Sequence, residues 1–345
     1  MKLRRLVAML VCQVLLAQGA AGATPDDSLY AHPGRLVPTE DGTRLNFYCL
    51  GSGSPTIVLD AGFEDWSPAW AFVQPQLAAF TRTCSYDRAG AGFSAAGPMP
   101  RTSVRIADEL HSALHNAGID GPYILVGHAF GGDNVRTFAD RYMPEVAGLV
   151  LVEADATDVE PKDMQADDHR GQATFIVGLR ECRDAVAAGR ALPVLSGPPG
   201  RPAGTCAQQF FRGLPETAWS QELNAEVLKI AQTKVALYDA FISEMEEMPE
   251  DESYLQQHHR SFGTRPIRVI TTGNHGIGAP DGQRRESLDH LKYEYEVARA
   301  QASWLRMSSD AKQVFTRHSS EYVQFDEPAA VVDAIRDVYD QAKRD

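Results

Sequence analysis

The chain has 345 residues, with 33 Lys and Arg against 46 Asp and Glu and a formal net charge of −13. That length allows one large domain or two modest ones. A content of 43% hydrophobic and 23% charged residues excludes a disordered, collagen-like or coiled-coil chain. The acidic balance argues against a nucleic-acid partner, which needs clustered Lys and Arg, and beyond the N-terminus no run of ~18 apolar residues is present to span a membrane.

The first residues carry Lys2, Arg4 and Arg5, an apolar run from Leu6 to Ala17, and Ala21-Gly22-Ala23 as a small-residue cleavage site. This is the pattern of a secretory signal peptide over residues 1–23, and it implies a secreted or periplasmic protein. Cys12 falls inside it. The remaining Cys49, Cys84, Cys182 and Cys206 make an even number in an exported chain, which implies two disulfides. Of three possible pairings, Cys49–Cys84 and Cys182–Cys206 are favoured because each pair falls within one structural region. No Cys/His cluster shows zinc spacing, and His258-His259 reads as a solvated helix face, so no metal and no cofactor are expected.

Along the chain, residues 35–50 read as a β-hairpin turning at Glu40-Asp41-Gly42. The run TIVL at 56–59 follows, then Gly62 and a helical stretch ending near Phe80, then Cys84–Tyr86. A helix is expected over 103–117, the strand YILV over 123–126, a helix over 130–142 and the strand VAGLVLV over 146–152. Short apolar strands alternating with amphipathic helices indicate a parallel sheet built from βαβ units. From about 155 to 265 the rhythm breaks into polar and helical sequence. Pro193 to Gly204 is expected to be a loop, and Gln221 to Glu247 a helix or helix pair. The strand IRVITT (267–272), a helix near 284–307, QVFT (313–316) and a helix over 328–343 then restore it. The expected division is a core of residues 24–155 and 266–345, with residues 156–265 as a helical lid over the carboxyl edge of the strands.

The most informative segment is LVGHAFGG, Leu125 to Gly132. A strand runs into Gly127, a helix leaves at Phe130, and glycines stand two before and two after position 129. This is the frame of the nucleophile elbow G-x-S-x-G, with Ala129 in the serine position. The N–H of Phe130 then becomes an oxyanion donor.

With YCLGSGSPTIVLDAG, CSYDRAGAGFS, EVAGLVLVEAD and YVQFDEPAAVVDAI, the elbow makes the chain resemble exported bacterial α/β-hydrolases over most of its length. The resemblance implies an α/β, doubly wound, mostly parallel eight-stranded sheet with a lid insertion. It implies an ester, amide or lactone hydrolase ancestry, with a small apolar carbonyl compound as substrate or ligand. Gly62 or Phe63 would supply the second oxyanion N–H, and Asp87 and Arg88 would be structural. The catalytic acid falls on Glu153, with Asp155 and Asp281 as competitors. The family histidine falls on Glu321 when the segments are aligned without gaps, and His318 lies three residues earlier. His128 would point away beneath the sheet. Alanine has no nucleophile, so the acyl-enzyme route is closed as the sequence stands. Three readings stay open: a hydrolase whose serine has been replaced, a natural ligand-binding carrier, and a lyase or cyclase working through carboxylates and the oxyanion hole.

Overall fold

A computed structural model describes residues 27–195, 204–206, 219–272 and 288–344. The expected signal peptide, Cys12 and Asp281 lie outside the described residues. Ten strands are described: β1 (Arg35–Pro38), β2 (Arg44–Leu50), β3 (Thr56–Asp60), β4 (Thr83–Asp87), β5 (Tyr123–His128), β6 (Val146–Val152), β7 (Val194–Leu195), β8 (Gly204–Thr205), β9 (Ile267–Thr272) and β10 (Ala311–Thr316). The helices are α1 (Gln74–Leu77), α2 (Ser103–Asn116), α3 (Phe130–Arg141), α4 (Lys162–Ala187), α5 (Gln221–Thr233), α6 (Val235–Gln257), α7 (Leu288–Ala302), α8 (Val323–Asp326) and α9 (Pro328–Ala342).

Eight strands form one sheet in the order β1-β2-β4-β3-β5-β6-β9-β10. Of these eight, β2 alone runs against the rest, antiparallel to both β1 and β4. Every residue of β3, β4, β5 and β9 is buried, and in β3 and β5 burial on both faces accounts for the unbroken apolar runs IVL and YILV in place of an alternating pattern. Successive residues serve opposite faces. Val58, Leu125, Leu149 and Val269 meet α2 and α3, whereas Ile57, Ile124, Val150 and Ile270 meet α9 and the segment around Trp70. Helices on both faces make the sheet doubly wound, as expected.

Cys49 stands directly opposite Cys84 in the β2–β4 register, and the two form a disulfide with Cα atoms 4.1 Å apart. Cys182 of α4 is bonded to Cys206, just past β8, at 6.0 Å. Both pairings are the expected ones.

Between β6 and β9 lies the helical insertion, where α4, α5 and α6 pack through Leu179, Leu223, Val227, Leu237 and Phe241. The loop expected over Pro193 to Gly204 is corrected in part. Val194 pairs with Thr205 and Leu195 with Gly204 in a two-residue antiparallel ribbon, too short for any periodic signal, with the Cys206 disulfide beside it. The stretch Gln221 to Glu247 splits at Lys234, whose backbone is extended. Its ammonium reaches the carbonyls of Ala91, Gly92 and Ser94 at 3.1, 2.7 and 2.6 Å. The helix expected to end near Phe80 is only a 3-10 turn, Ser67–Trp70, and the single turn α1. Each begins with a proline, Pro68 and Pro75, which favours short starts over one continuous helix.

Candidate active site

Ala129 sits between β5 and α3 with φ 46° and ψ −124°, a left-handed conformation that alanine rarely adopts. The surrounding backbone holds it there. A Cβ on Gly127 would lie 2.3 Å from the Gly131 carbonyl, one on Gly131 2.5 Å from the Asp60 carbonyl, and one on Gly132 2.3 Å from the Ala154 side chain. The turn is therefore as tight as a nucleophile elbow requires, and it persists without the nucleophile. Strain of this kind costs about 1–3 kcal/mol and concentrates at functional sites.

The loop after β3 faces the elbow. A Cβ on Gly62 would come 2.8 Å from His128 Nδ1 and 3.3 Å from Ala129 Cβ. Arg88, fully buried, donates to the Ala61 carbonyl at 2.6 Å and the Gly62 carbonyl at 2.8 Å. In a trans peptide the N–H points opposite to the carbonyl. Pinning these two carbonyls on Arg88 thus turns the N–H groups of Gly62 and Phe63 the other way. The guanidinium is itself held by Asp60 at 3.0 Å and by Glu244 of α6 at 2.8 and 3.1 Å. Asp87 accepts from Ser67, Asn46 and the Phe93 N–H. Both residues of the Asp87-Arg88 pair face inward to scaffold groups.

His128, the last residue of β5, is a buried structural residue. Its ring is buried with Nε2 3.0 Å from the Glu321 carbonyl, and it stacks loosely on Tyr322, centroids 5.2 Å apart. Because the partner is a carbonyl, Nε2 carries the hydrogen. Burial pushes the imidazole down to about 4, so it is neutral at pH 7. The ring fills the space that the small Gly62 leaves.

Glu153 follows β6 with φ 42° and is buried. Its N–H donates to the Ile270 carbonyl at 2.9 Å, and its carboxylate accepts from the Thr272 N–H at 2.7 Å. Thr272 Oγ1 in turn donates to the Ser319 carbonyl at 2.5 Å. The Ala129 N–H reaches the Val152 carbonyl at 3.2 Å, and the Asp155 N–H reaches the Ala129 carbonyl at 3.3 Å. The elbow, Glu153 and the 319–321 segment therefore converge at the carboxyl ends of β5, β6 and β9. His318 does not join them. It is exposed, and its N–H is bound by the Glu327 carboxylate at 2.8 Å.

Sequence reasoning overlooked Asp65. It is buried on the loop after β3, and its Oδ2 has no hydrogen-bond partner among the described residues. Burial raises its carboxyl to about 7; Arg88 opposes this and the Glu321 charge adds to it. The only sequence signal is an acid two residues after the Gly62-Phe63 pair. Phe63 packs against Phe175 of α4 and Phe241 of α6, with ring centroids 5.9 and 5.5 Å away, so the insertion places aromatic rings over this loop. A separate cleft of about 410 Å³, lined by Arg35, Tyr48, Arg82 and Ile119, opens at the amino ends of the parallel strands and contains none of these groups.

The family model for the alpha/beta hydrolase fold matches residues 55–176. An uncharacterized protein of Schizosaccharomyces pombe is 32% identical over 157 residues, which are 37% of this chain and 29% of that protein. An AB hydrolase superfamily protein of Gibberella zeae is 32% identical over 104 residues, 29% of this chain and 32% of its own length. The chain thus spans less than a third of either relative. A thermophilic esterase from Thermogutta terrifontis superposes with a TM-score of 0.58 at 20% identity, covering 89% of this chain and 98% of the esterase. The chain has the α/β-hydrolase fold.

Proposed function

We propose that this is an exported α/β-hydrolase-fold protein that holds a small carbonyl compound at an acyl-transfer site lacking its nucleophile. The observation that carries the reading is Ala129, kept in the strained elbow conformation against Gly62. In this reading the carbonyl oxygen is held by the N–H groups of Phe130 and of Gly62 or Phe63. Phe63, Phe175 and Phe241 cover the apolar part of the ligand beneath the helical lid. Glu153 keeps the acid position, while the base position is Glu321. Turnover through an acyl-enzyme is closed because a methyl group cannot attack a carbonyl. Two disulfides support an oxidising, secreted or periplasmic location.

Asp65 favours a second reading. A buried carboxyl near 7 beside a second carboxylate is the arrangement of a proton-transfer pair. On a carbonyl held in the cradle, such a pair would serve elimination or cyclisation rather than hydrolysis.

The test is to incubate the protein with p-nitrophenyl acetate and, separately, to titrate it with phenyl acetate by calorimetry. The expected result is saturable binding, weakened at least tenfold by Phe63→Ala, with no acyl adduct by intact mass and no p-nitrophenol release above background. An acyl adduct on the unmodified protein would overturn the reading, and so would binding untouched by Phe63→Ala.

A further inference from the structure

At the opposite edge of the sheet, His111 and His115 stand one turn apart on α2, and Glu145 precedes β6. His111 Nε2 lies 3.0 Å from Glu145 Oε1, and His115 Nε2 lies 3.2 Å from Glu145 Oε2. The two Nε2 atoms are 3.1 Å from one another. We propose that His111, His115 and Glu145 form a binding site for a divalent transition-metal ion of the zinc type.

Hydrogen counting carries the argument. Three polar groups make three mutual contacts, and each contact needs one hydrogen between its heavy atoms. Each imidazole offers at most one hydrogen at Nε2, and an ionised carboxylate offers none. Two hydrogens serve two contacts at most. A single cation at the centre satisfies all three, because each group then directs a lone pair inward. The spacing suits this. Bonds of ~2.1 Å put tetrahedral ligand atoms ~3.4 Å apart and octahedral neighbours ~3.0 Å apart.

The surroundings orient the ligands. Asp120 Oδ1 lies 3.3 Å from His115 Nδ1, which draws the ring hydrogen to that side and leaves Nε2 free to ligate, the usual carboxylate–histidine–metal relay. The His111 ring stacks on Tyr142, centroids 3.6 Å apart and planes 2° from parallel, and the Tyr142 hydroxyl donates to Asp108 at 2.7 Å. Side-chain exposures of 21%, 31% and 43% for His111, Glu145 and His115 leave a solvent-side position for water or a further ligand. Two imidazoles and one carboxylate favour zinc, nickel or copper over magnesium or calcium. The last turn of α2 also presents the negative end of its dipole to a cation.

The ion's place in the fold defines its role. Six residues of β5 separate this edge from Ala129, roughly 20 Å at ~3.3 Å per residue, so the metal does not touch a ligand at the elbow. It would clasp the end of α2 to the start of β6, the two ends of the segment that carries β5, the elbow and α3. The sequence expectation of no metal overlooked His111-x-x-x-His115 because the third ligand comes from a different element.

The test uses full-length mature chain without a polyhistidine tag, titrated with Zn²⁺ in competition with a chromophoric chelator and followed by thermal unfolding. One equivalent of Zn²⁺ should bind in the micromolar range or tighter, and saturation should raise Tm by about 3–5 °C. Mg²⁺ should do neither. His115→Ala and Glu145→Gln should each weaken binding at least tenfold and abolish the Tm rise. The half-exposed His115 is the informative position should His111→Ala disturb the stack on Tyr142. Absence of binding, equal binding of Mg²⁺, or Zn²⁺ binding unchanged by His115→Ala would overturn the proposal.

Discussion

Ala129 and Asp65 are the two residues whose local setting is most unusual. At position 129 the backbone keeps a geometry whose only evident use is to present a reactive side chain, while the side chain is a methyl group. At Asp65 the fold buries a carboxyl whose Oδ2 has no hydrogen-bond partner among the described residues. Burial raises it from 3.8 to about 7, so between those values the folded chain holds a proton that the unfolded chain releases. The stabilisation this gives is complete below about pH 4 and is lost as pH rises through 7. Asp65→Asn should remove this dependence. Urea unfolding at pH 5 and pH 8 should show the variant losing roughly 2 kcal/mol less than the parent across that interval. Asp60, raised to about 6, and Asp251, raised to about 7, keep their own contributions in both proteins, so the comparison isolates Asp65. Parallel losses would show that Asp65 is ionised in the fold.

Among the elements, β3, β4 and α6 are joined by one buried cation. Arg88 binds Asp60 from β3, the Ala61 and Gly62 carbonyls of the following loop, and Glu244 from the insertion, with both charged partners buried. Removing one member of a buried pair leaves an uncompensated charge, at a cost of about 3–5 kcal/mol. Glu244→Ala should therefore lower stability by that amount in urea. It should also weaken phenyl acetate binding, because the Ala61 and Gly62 carbonyls share the same guanidinium. A loss below 1 kcal/mol with unchanged binding would mean that the insertion and the cradle are independent. Ser103 and Arg101 add further ties to α6, through Asp251 at 2.9 Å and Ser243 at 3.0 Å. The insertion is thus fastened to the core by polar groups as well as by the apolar contacts of Phe63.

For the whole molecule, what the sequence revealed follows from where each signal resides. The apolar runs TIVL and YILV read as strands because both faces of β3 and β5 are buried, and the glycines around Ala129 read as an elbow because backbone contacts forbid a Cβ. The insertion was opaque. Its helices bury side chains against one another, and its β7–β8 ribbon is two residues long. Asp65 and the His111–His115–Glu145 group were hidden for a related reason: their chemistry arises only when the fold brings Glu321 or Glu145 alongside. Nothing local to His128 discloses that the Glu321 carbonyl is the partner of its Nε2. The site proposed around Ala129 is an acyl-transfer site that lacks only a nucleophile and a base. The most direct test is intact-mass and p-nitrophenol burst analysis of Ala129→Ser, alone and combined with Glu321→His, using p-nitrophenyl acetate. The single variant should show little release, and the double variant a burst with an acyl group at position 129. Full activity in the single variant would contradict the assignment of Glu321 as the base position, and a correctly folded double variant without an acyl group would contradict the site itself.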